Sequence, residues 1–309
     1  MKVINFMGQR KLAIVFSLVL LAISIASLAT RQLNWGLDFT GGTLVEVHYS
    51  ASADLTAIRS TLETRGFGGA TVVSFGSDRD VMIRLPQGYS DERGAELLGI
   101  LQESFVAIEP GGTVELRRSE FVGPQVGDEL REQGGLAMLL ALGLVTLYVA
   151  FRFQLKFALG SVAALVHDVI ITLGFFSVTG MEFDLTVLAA LMAVIGYSLN
   201  DTIVVFDRIR ENFRKIRRAD PVEVLNISIT ETLGRTLVTS GTTLLVVIAL
   251  ALFGGEMIFG FAITLIVGIT IGTYSSIYVA SAAALMLGVT KEDLMLPAKE
   301  GVEQDDLTP

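Results

Sequence analysis

The sequence contains no cysteine and only two histidines, His48 and His167. The absence of cysteine excludes disulfide bonds, thiolate metal sites and cysteine nucleophiles. Two imidazoles are too few for the common zinc clusters, so we expect no metal site. Positive charge is also scarce, with 23 Lys and Arg against 32 Asp and Glu and a formal net charge of -9. This balance argues against a nucleic-acid partner, although its distribution along the chain says more than its sum.

Apolar residues, in contrast, make up 51% of the sequence, and its mean hydropathy is +0.61. They are concentrated in runs of about 20 residues, the length that a helix needs to cross the hydrocarbon core of a bilayer. We therefore predict an α-helical integral membrane protein with six transmembrane helices. The predicted spans are 12–29, 134–151, 157–178, 185–206, 236–254 and 258–287.

The first apolar run has a second interpretation, because Ser27-Leu28-Ala29 resembles the small-x-small cleavage site of a signal peptide. The run is longer than the usual apolar region of a signal peptide, which has about 7 to 15 residues. The later spans would also anchor the chain without it. We therefore expect residues 1–30 to form an N-terminus followed by an uncleaved transmembrane helix.

Lysine and arginine fall on one side of the predicted spans, and short loops rich in these residues stay in the cytoplasm. This side receives the N-terminus, the connection with Arg152 and Lys156, the basic connection 207–235 and the tail 289–309. The opposite short loops, 180–184 and 254–257, contain no lysine or arginine. Both termini are therefore predicted to be cytoplasmic, with helices 2 to 6 inside 134–288.

Residues 31–133 have a different composition, with 16 Asp and Glu against 9 Lys and Arg, and we predict that they form an external, periplasmic domain. Alternating apolar and polar residues indicate strands, and a longer apolar period indicates helices. The strands are predicted at 43–50, 71–75, 80–85 and 112–123, and the helices at 54–66 and 90–105. The order βαββαβ predicts a small α+β domain of the ferredoxin-like type between helices 1 and 2.

Three ionisable residues interrupt the apolar runs: His167 and Asp168 in the third span, and Asp201 in the fourth. A carboxylate near the centre of a bilayer costs about 2.5 to 3.5 kcal/mol and usually turns toward a partner or water. Counted from the flanking charges at about 1.5 Å per residue, Asp201 lies about 9 Å and Asp168 about 18 Å below the surface. These residues are therefore candidates for ion transfer, with a static interhelical His167–Asp168 hydrogen bond as the alternative.

The fifth span begins with two lines of polar side chains at helical spacing. One line contains Arg235, Thr239 and Thr242, and the other contains Thr236, Ser240 and Thr243. Such a helix end could hold water and place the Arg235 guanidinium near Asp201. Two alternatives stay open: Arg235 as a snorkelling residue at the helix end, and hydroxyls that only bond back to their own helix.

Small residues recur every four positions along the sixth span, at Gly260, Thr264, Gly268, Gly272, Ser276, Ala280 and Ala284. This spacing predicts a helix-packing face that another backbone approaches closely, either in this chain or in a companion subunit. A separate motif, GLDFTGG, follows the first span and contains Asp38, Phe39, Gly41 and Gly42. The backbone freedom of glycine suits either a simple turn or a hinge between the membrane and the external domain.

Long motifs throughout the chain resemble the SecF-type members of the SecD/SecF family of protein-export membrane proteins, in the resistance-nodulation-division superfamily. They are GLDFTGGT (36–43), VGPQVGDEL (122–130), HDVIITLG (167–174), GYSLNDTIVVFDRIREN (196–212), GRTLVTSGTT (234–243) and IGTYSSIYVASAAAL (271–285). The resemblance covers essentially the whole chain in the same order. It implies a subunit of the SecDF complex that uses the proton motive force to promote late steps of protein export across the inner membrane.

The resemblance also implies partners and site residues. The partners would be SecD, which adds six further spans, the SecYEG channel, SecA, YajC and exported unfolded polypeptides. The proton path would use Asp201 and Arg235, with Asp168 and His167 as weaker assignments and a further aspartate from SecD. No cofactor and no hydrolytic chemistry are implied. Protons are the expected coupling ion, and sodium stays open as the alternative.

Three other functions fit some of these features. A structural subunit that only stabilises SecD would need no proton site of its own. A proton-driven small-molecule exporter of the same superfamily would need a larger external domain than residues 31–133. An intramembrane aspartyl protease would need two aspartates at one depth, whereas Asp168 and Asp201 differ by about 9 Å. The sequence also lacks the Gly-x-Gly-Asp motif of those proteases.

Overall fold

A computed structural model of the chain describes residues 3–85, 91–153, 155–216 and 219–289. The predicted tail 289–309 lies outside the described residues apart from Val289. In chain order the elements are a short 3-10 turn (Met7–Gln9), α1 (Arg10–Thr30), β1 (Asn34–Trp35), α2 (Leu37–Thr40), β2 (Gly42–Tyr49), α3 (Leu55–Thr64), β3 (Thr71–Phe75), β4 (Ser77–Leu85), α4 (Asp91–Ile108), β5 (Val114–Val122), α5 (Pro124–Arg152), α6 (Leu155–Thr179), β6 (Glu182–Phe183), α7 (Leu185–Lys215), α8 (Pro221–Phe253), α9 (Glu256–Ser275), a π-helical turn (Ser276–Ala280) and α10 (Ser281–Met286).

Six helices in the described part of the chain are long and apolar enough to cross a membrane: α1, α5, α6, α7, α8, and α9 with its continuation. This number confirms the six predicted helices. The helices run further than the apolar runs, however, because α7 extends to Lys215 and α8 begins at Pro221. The predicted connection 207–235 is therefore mostly helical. Its charges form pairs along the helix, such as Lys215 with Glu211, and so do not interrupt it.

Helices α6 and α7 form the buried centre of the membrane layer and also pack against α9. Helix α1 packs along α6, where the hydroxyls of Ser27 and Ser177 are 2.8 Å apart. The two helices touch closely, since a Cβ on Gly174 would lie 2.2 Å from Ser24. Helices α5 and α8 instead carry long exposed apolar faces, of the kind that lipid or another membrane helix covers.

The small residues of α9 face α7 of the same chain. A Cβ built on Gly268 would lie 2.2 Å from Cγ2 of Val194. The neighbouring contacts on this face are Gly260 with Val187 and Gly272 with Ser198. This part of the predicted packing face therefore has its neighbour inside the chain.

The face changes its neighbour at the π-helical turn. Ser276 begins this turn, is fully buried and donates its hydroxyl to the carbonyl of Thr273 at 3.0 Å. Ala280 at the end of the turn and Ala284 beyond it lie against Gly160 of α6, where an added Cβ would be 3.0 Å from the Ala280 carbonyl oxygen. A π-turn rotates the residues beyond it relative to a regular α-helix. The predicted face is therefore divided between α7 and α6.

The domain between α1 and α5, which the sequence predicts to be external and which is called the external domain below, contains one antiparallel sheet with the strand order β3-β4-β2-β5. Helices α3 and α4 cover one face of it. The core between the helices and the sheet includes Val45, Val47, Ile58, Leu62, Val81, Ile83, Leu97 and Leu101. Strand β4 begins earlier than predicted, at Ser77, because the chain turns at Gly76 with a φ of 75°.

The segment that leaves α1 packs on the membrane layer before it enters the sheet. Strand β1 pairs in parallel with β6, which lies between α6 and α7. Phe39 of α2 is 2% exposed and stacks on Phe183. The sheet and its two helices extend from β2 to β5, within the predicted domain 31–133. Residues 34–40 belong to the membrane layer because their apolar side chains are buried there, and α5 already begins at Pro124.

Candidate functional site

Asp168 lies in the middle of α6 and is 1% exposed. Ser198 of α7 and Ser275 of α9 donate hydrogen bonds to its Oδ2 at 2.5 and 2.7 Å. Its other oxygen, Oδ1, lies 2.9 Å from Nδ1 of His167. Both oxygens are paired, as a buried polar group requires. Asp168 therefore connects three helices through hydrogen bonds.

His167 is also buried, and its second ring nitrogen, Nε2, has no hydrogen-bond partner among the described residues. The ring borders a lateral cavity of about 260 Å³ between α1, α6 and the end of the last helix. The His167–Asp168 hydrogen bond joins neighbours on one helix. The interhelical bond that we considered for this pair is therefore absent among the described residues, and the serines make the bonds between helices instead.

Asp201 on α7 is 3% exposed, but its Oδ2 has no hydrogen-bond partner among the described residues. The hydroxyl of Tyr197, one turn earlier, is also buried without a partner in this part of the chain. A buried polar atom without a partner costs about 1–3 kcal/mol and is rare. A buried carboxylate oxygen of this kind indicates a site for water or an exchangeable ion.

Two residues of the second polar line of α8, Thr236 and Ser240, face Asp201, whereas Thr243 donates to the carbonyl of Thr239 at 2.9 Å. Thr236 and Ser240 are buried beside the Asp201 carboxylate. Ser240 also shares a hydrogen bond of 2.8 Å with Thr273 of α9. Hydroxyl groups of α8 therefore lie beside the Asp201 carboxylate, and Ser240 links them to α9.

The first polar line of α8 lies on its exposed side. Thr239 and Thr242 donate to carbonyls of their own helix, at 3.0 and 2.8 Å. For these two residues the structure therefore has the alternative in which hydroxyls only bond back to their own helix. Arg235 is exposed and forms no ion pair with any described residue. It precedes Thr236 on α8, and its guanidinium is not bonded to Asp201.

Sequence reasoning missed two residues of this site, Ser198 and Ser275. Ser198 precedes Asp201 by three residues, so the two lie on neighbouring positions of one helix face. A serine in an apolar helix needs a partner, and this signal could have drawn attention to both. Their common partner, Asp168, follows only from the packing of three helices.

The chemistry available at the site is limited to carboxylates, an imidazole and hydroxyls. Among the residues that the structure describes, no three His, Asp or Glu side chains converge where they could hold a metal ion. Carboxylates and imidazoles bind and release protons, and hydroxyls hold water or relay a proton by donating and accepting at once. The arrangement therefore suits proton or ion binding inside the membrane layer.

The glycine motif lies at the N-terminal end of α7, the helix that carries Asp201. Asp38 Oδ2 accepts a hydrogen bond of 3.0 Å from the backbone N–H of Leu185, the first residue of α7. Phe39 anchors the motif in the membrane layer. Gly41 and Gly42 then turn the chain into β2 with φ values of 65° and 131°, which glycine adopts without strain. The motif thus joins the external sheet to the helix that carries Asp201.

Comparison with known proteins gives the same family throughout. The family described as protein export membrane protein SecD/SecF, C-terminal, matches residues 103–290, and the SecD/SecF GG motif matches residues 26–53. A protein translocase subunit SecF from Vibrio alginolyticus is 58% identical over 99% of this chain and 97% of its own length. The chain belongs to the SecF family. Another SecF, from Pseudomonas aeruginosa, is 54% identical over 97% of both chains.

A solved structure supports this fold for the SecF-family chain. It is the crystal structure of SecDF, a translocon-associated membrane protein from Thermus thermophilus, with a TM-score of 0.82 and 41% identity. The match covers 93% of this chain, which spans only 39% of the solved chain. The residue ranges matched by the two family models, 26–53 and 103–290, include the glycine motif and all four proton-path candidates, Asp168, His167, Asp201 and Arg235.

Proposed function

We propose that the chain is the SecF subunit of the Sec protein translocase and couples proton movement across the membrane to late steps of protein export. The observation that carries this proposal is Asp201, a buried carboxylate with an unpaired oxygen among membrane helices. Full-length similarity to protein translocase subunits SecF supports the role in export. The buried carboxylate supports the use of protons.

The proposed proton step involves Asp201 and Arg235. Loss of water disfavours the charged form of a carboxylate, and an approaching guanidinium favours it. Arg235 lies on the neighbouring helix without an ion-pair partner among the described residues. Asp201 would bind a proton from the outer side, and a movement of α8 that brings Arg235 closer would release it inward. His167, with its unpaired Nε2, is the second candidate for proton exchange.

The proposal assigns a different role to Asp168. Its two serine partners and His167 hold α6, α7 and α9 together. We propose that this network keeps the three helices in place while α8 moves. Asp168 would therefore support proton transfer by positioning the helix that carries Asp201.

The proposal also covers the partners, the cargo and the membrane orientation of the subunit. SecD would supply six further helices and another aspartate, and the exposed apolar faces of α5 and α8 suit such a partner. SecYEG, SecA and YajC would be further partners, and unfolded polypeptides the cargo. Both termini would lie in the cytoplasm, with the domain outside the inner membrane; its strand order supports a ferredoxin-like fold. We propose no cofactor and no hydrolytic activity.

Translocation into membrane vesicles tests the proposal. The vesicles contain the translocase, SecD and either the wild-type chain or Asp201→Asn, with and without an imposed proton gradient. We expect the variant to assemble and to keep its rate without the gradient, but to lose the stimulation by the gradient. Asp207→Asn is the matched control, because Asp207 is two turns further along α7 and pairs with Arg152 and Arg210.

Two outcomes would contradict the proposal. A gradient effect that survives in Asp201→Asn would favour the structural subunit that only stabilises SecD. Stimulation by a sodium gradient at constant pH would replace the proton as the coupling ion.

A further inference from the structure

Arg84 connects the external sheet to the membrane layer. Its Nη2 donates to the carbonyl of Trp35 at 3.1 Å and to Oγ1 of Thr40 at 2.9 Å. Its Nη1 donates to Oε1 of Glu182 at 3.0 Å. We infer that Arg84 is a positioning residue through which the external domain follows the movement of α7.

Arg84 reaches the membrane layer because of the alternation of side chains in β4. Ile83 and Leu85 point into the core beneath α3 and α4 and are fully buried. Arg84 therefore points from the opposite face of the sheet. This face looks across a cleft of about 540 Å³ onto the ends of α6, α7 and α9.

The contact of Arg84 is stronger than the other arginine contact across this cleft. That second contact joins Arg118 Nη1 to the sulfur of Met257 at 2.8 Å. A thioether is a weak acceptor, whereas Glu182 offers Arg84 a charged one. Arg84 also bonds two further oxygen atoms in the membrane layer. It is therefore the better candidate for holding the sheet in one orientation.

The acceptors of Arg84 lie in a unit that leads directly into α7. Strands β1 and β6 pair in parallel within it. Glu182 Oε1 also accepts from the backbone N–H of Leu37 at 3.3 Å. Asp38 accepts from the N–H of Leu185, where α7 begins. A displacement at the start of α7 would therefore move the acceptors of Arg84 with it.

The same helix connects this unit to the candidate proton site. Asp201 follows Leu185 on uninterrupted α7, about 24 Å away at 1.5 Å per residue. Repacking around Asp201 would shift the outer end of α7, and Arg84 would transmit this shift to the sheet. This last step depends on the proposed function, whereas the positioning of the sheet by Arg84 does not.

The structure also explains why the residue is an arginine. A guanidinium presents five N–H donors in a planar fork and can bond three acceptors together. A lysine ammonium is a single flexible point charge, so Arg84→Lys would keep part of the contact. This difference gives a graded pair of variants, Arg84→Lys and Arg84→Ala.

A distance measurement tests the positioning. The full chain in lipid nanodiscs carries spin labels at Ser60→Cys in α3 and Thr179→Cys at the end of α6, two exposed positions. The labels attach nowhere else, because the chain has no cysteine. We expect a broader distance distribution in Arg84→Ala than with Arg84 present. Arg65→Ala is the control, because the ion pair of Arg65 lies within the external domain.

A translocation assay tests the transmission. Arg84→Ala should lower gradient-stimulated translocation by about fivefold, the low end of coupling between sites, with the rate without a gradient unchanged. Arg84→Lys should recover part of the loss. A distribution in Arg84→Ala as narrow as with Arg84 present, or a full gradient response, would overturn the inference. Failure of the proposed proton role is distinguishable, because it shows as a gradient response that survives in Asp201→Asn.

Discussion

The hydroxyl of Ser198 donates a hydrogen bond of 2.5 Å to Asp168 Oδ2, and three residues later the same helix carries Asp201 with an unpaired Oδ2. The two buried carboxylates therefore differ in their hydrogen bonding. Asp168 has partners for both oxygens, whereas Asp201 has none for Oδ2 among the described residues. They share no hydrogen-bond partner in this part of the chain. This difference is the basis on which we propose a packing role for Asp168 and proton exchange for Asp201.

Asp168→Ala should destabilise the membrane layer. The change leaves the hydroxyl of Ser198 without its acceptor, at a cost of about 1–3 kcal/mol for a buried group, whereas Ser275 keeps the carbonyl of Gly272 as an acceptor at 3.1 Å. Asp168→Asn keeps an oxygen acceptor and should cost less. Thermal unfolding of the purified chain in detergent measures both. Equal midpoints for Asp168→Ala and the wild-type chain would contradict the role of Asp168 in packing.

Arg235→Gln should remove gradient-stimulated translocation without destabilising the chain. The side chain is exposed and forms no ion pair with described residues, so the free energy of unfolding should change by about 0.5 kcal/mol or less. Arg235→Lys keeps the charge, and partial activity would indicate a simple electrostatic role. Arg208→Gln is the control, because Arg208 pairs with Glu211 and Glu231 at the helix ends. Unchanged stimulation in Arg235→Gln would exclude Arg235 from the proton step.

Gly268→Ala should destabilise the contact between α9 and α7 by about 1–3 kcal/mol, because the new Cβ would lie 2.2 Å from Val194. The double variant with Val194→Ala removes the nearest methyl groups and should recover part of the loss. Gly143→Ala is the control, since nothing lies within 4 Å of its Cβ. Unfolding midpoints in detergent distinguish the three variants. Equal loss in the single and double variants would exclude Val194 as the cause.

The external domain should lose stability in acid partly through Asp80. Hydrogen bonds from Ser77 and His48 hold the pKa of Asp80 below its ordinary value. Because the folded-state pKa is the lower one, ionised Asp80 stabilises the domain above its unfolded-state pKa, and this contribution disappears as the pH falls through the folded-state pKa.

Asp80→Asn removes this pH dependence and provides the measurement. The loss of stability between about pH 5 and pH 2 should be smaller in the variant than in the wild-type chain, as followed by urea unfolding of the external domain within the full chain. Asp78→Asn is the control on the same strand. An identical dependence of stability on pH in Asp80→Asn and the wild-type chain would show that the hydrogen bonds of Asp80 contribute nothing to this acid sensitivity.

The sequence predicted the helices well because the length of an apolar run is set by the thickness of the bilayer. It also indicated Asp201, since a carboxylate in an apolar run is costly wherever the helix faces. It did not indicate which polar line of α8 meets Asp201. Both lines have helical spacing, and the rotation of α8 about its own axis is decided by its neighbours. Thr236 therefore faces the site while Thr239 faces outward.

Contacts between distant parts of the chain were also beyond sequence reasoning. The pairing of β1 with β6 joins two strands of two residues each, which are too short to show alternation. The burial of Phe39 in the membrane layer, where it stacks on Phe183, is a second contact of this kind. Such pairings depend on how α1 and α6 pack side by side.

The π-helical turn at Ser276–Ala280 gives the last membrane helix two different partners. One extra residue in a helical turn rotates everything beyond it by about 100° relative to a regular helix. Gly272 before the turn meets Ser198 of α7, and Ala284 after it meets Gly160 of α6. The regular four-residue spacing in the sequence therefore corresponds to two successive packing contacts, the first with α7 and the second with α6. Removing the extra residue would rotate the end of this helix, so that its small residues could pack against α7 or against α6 but not against both.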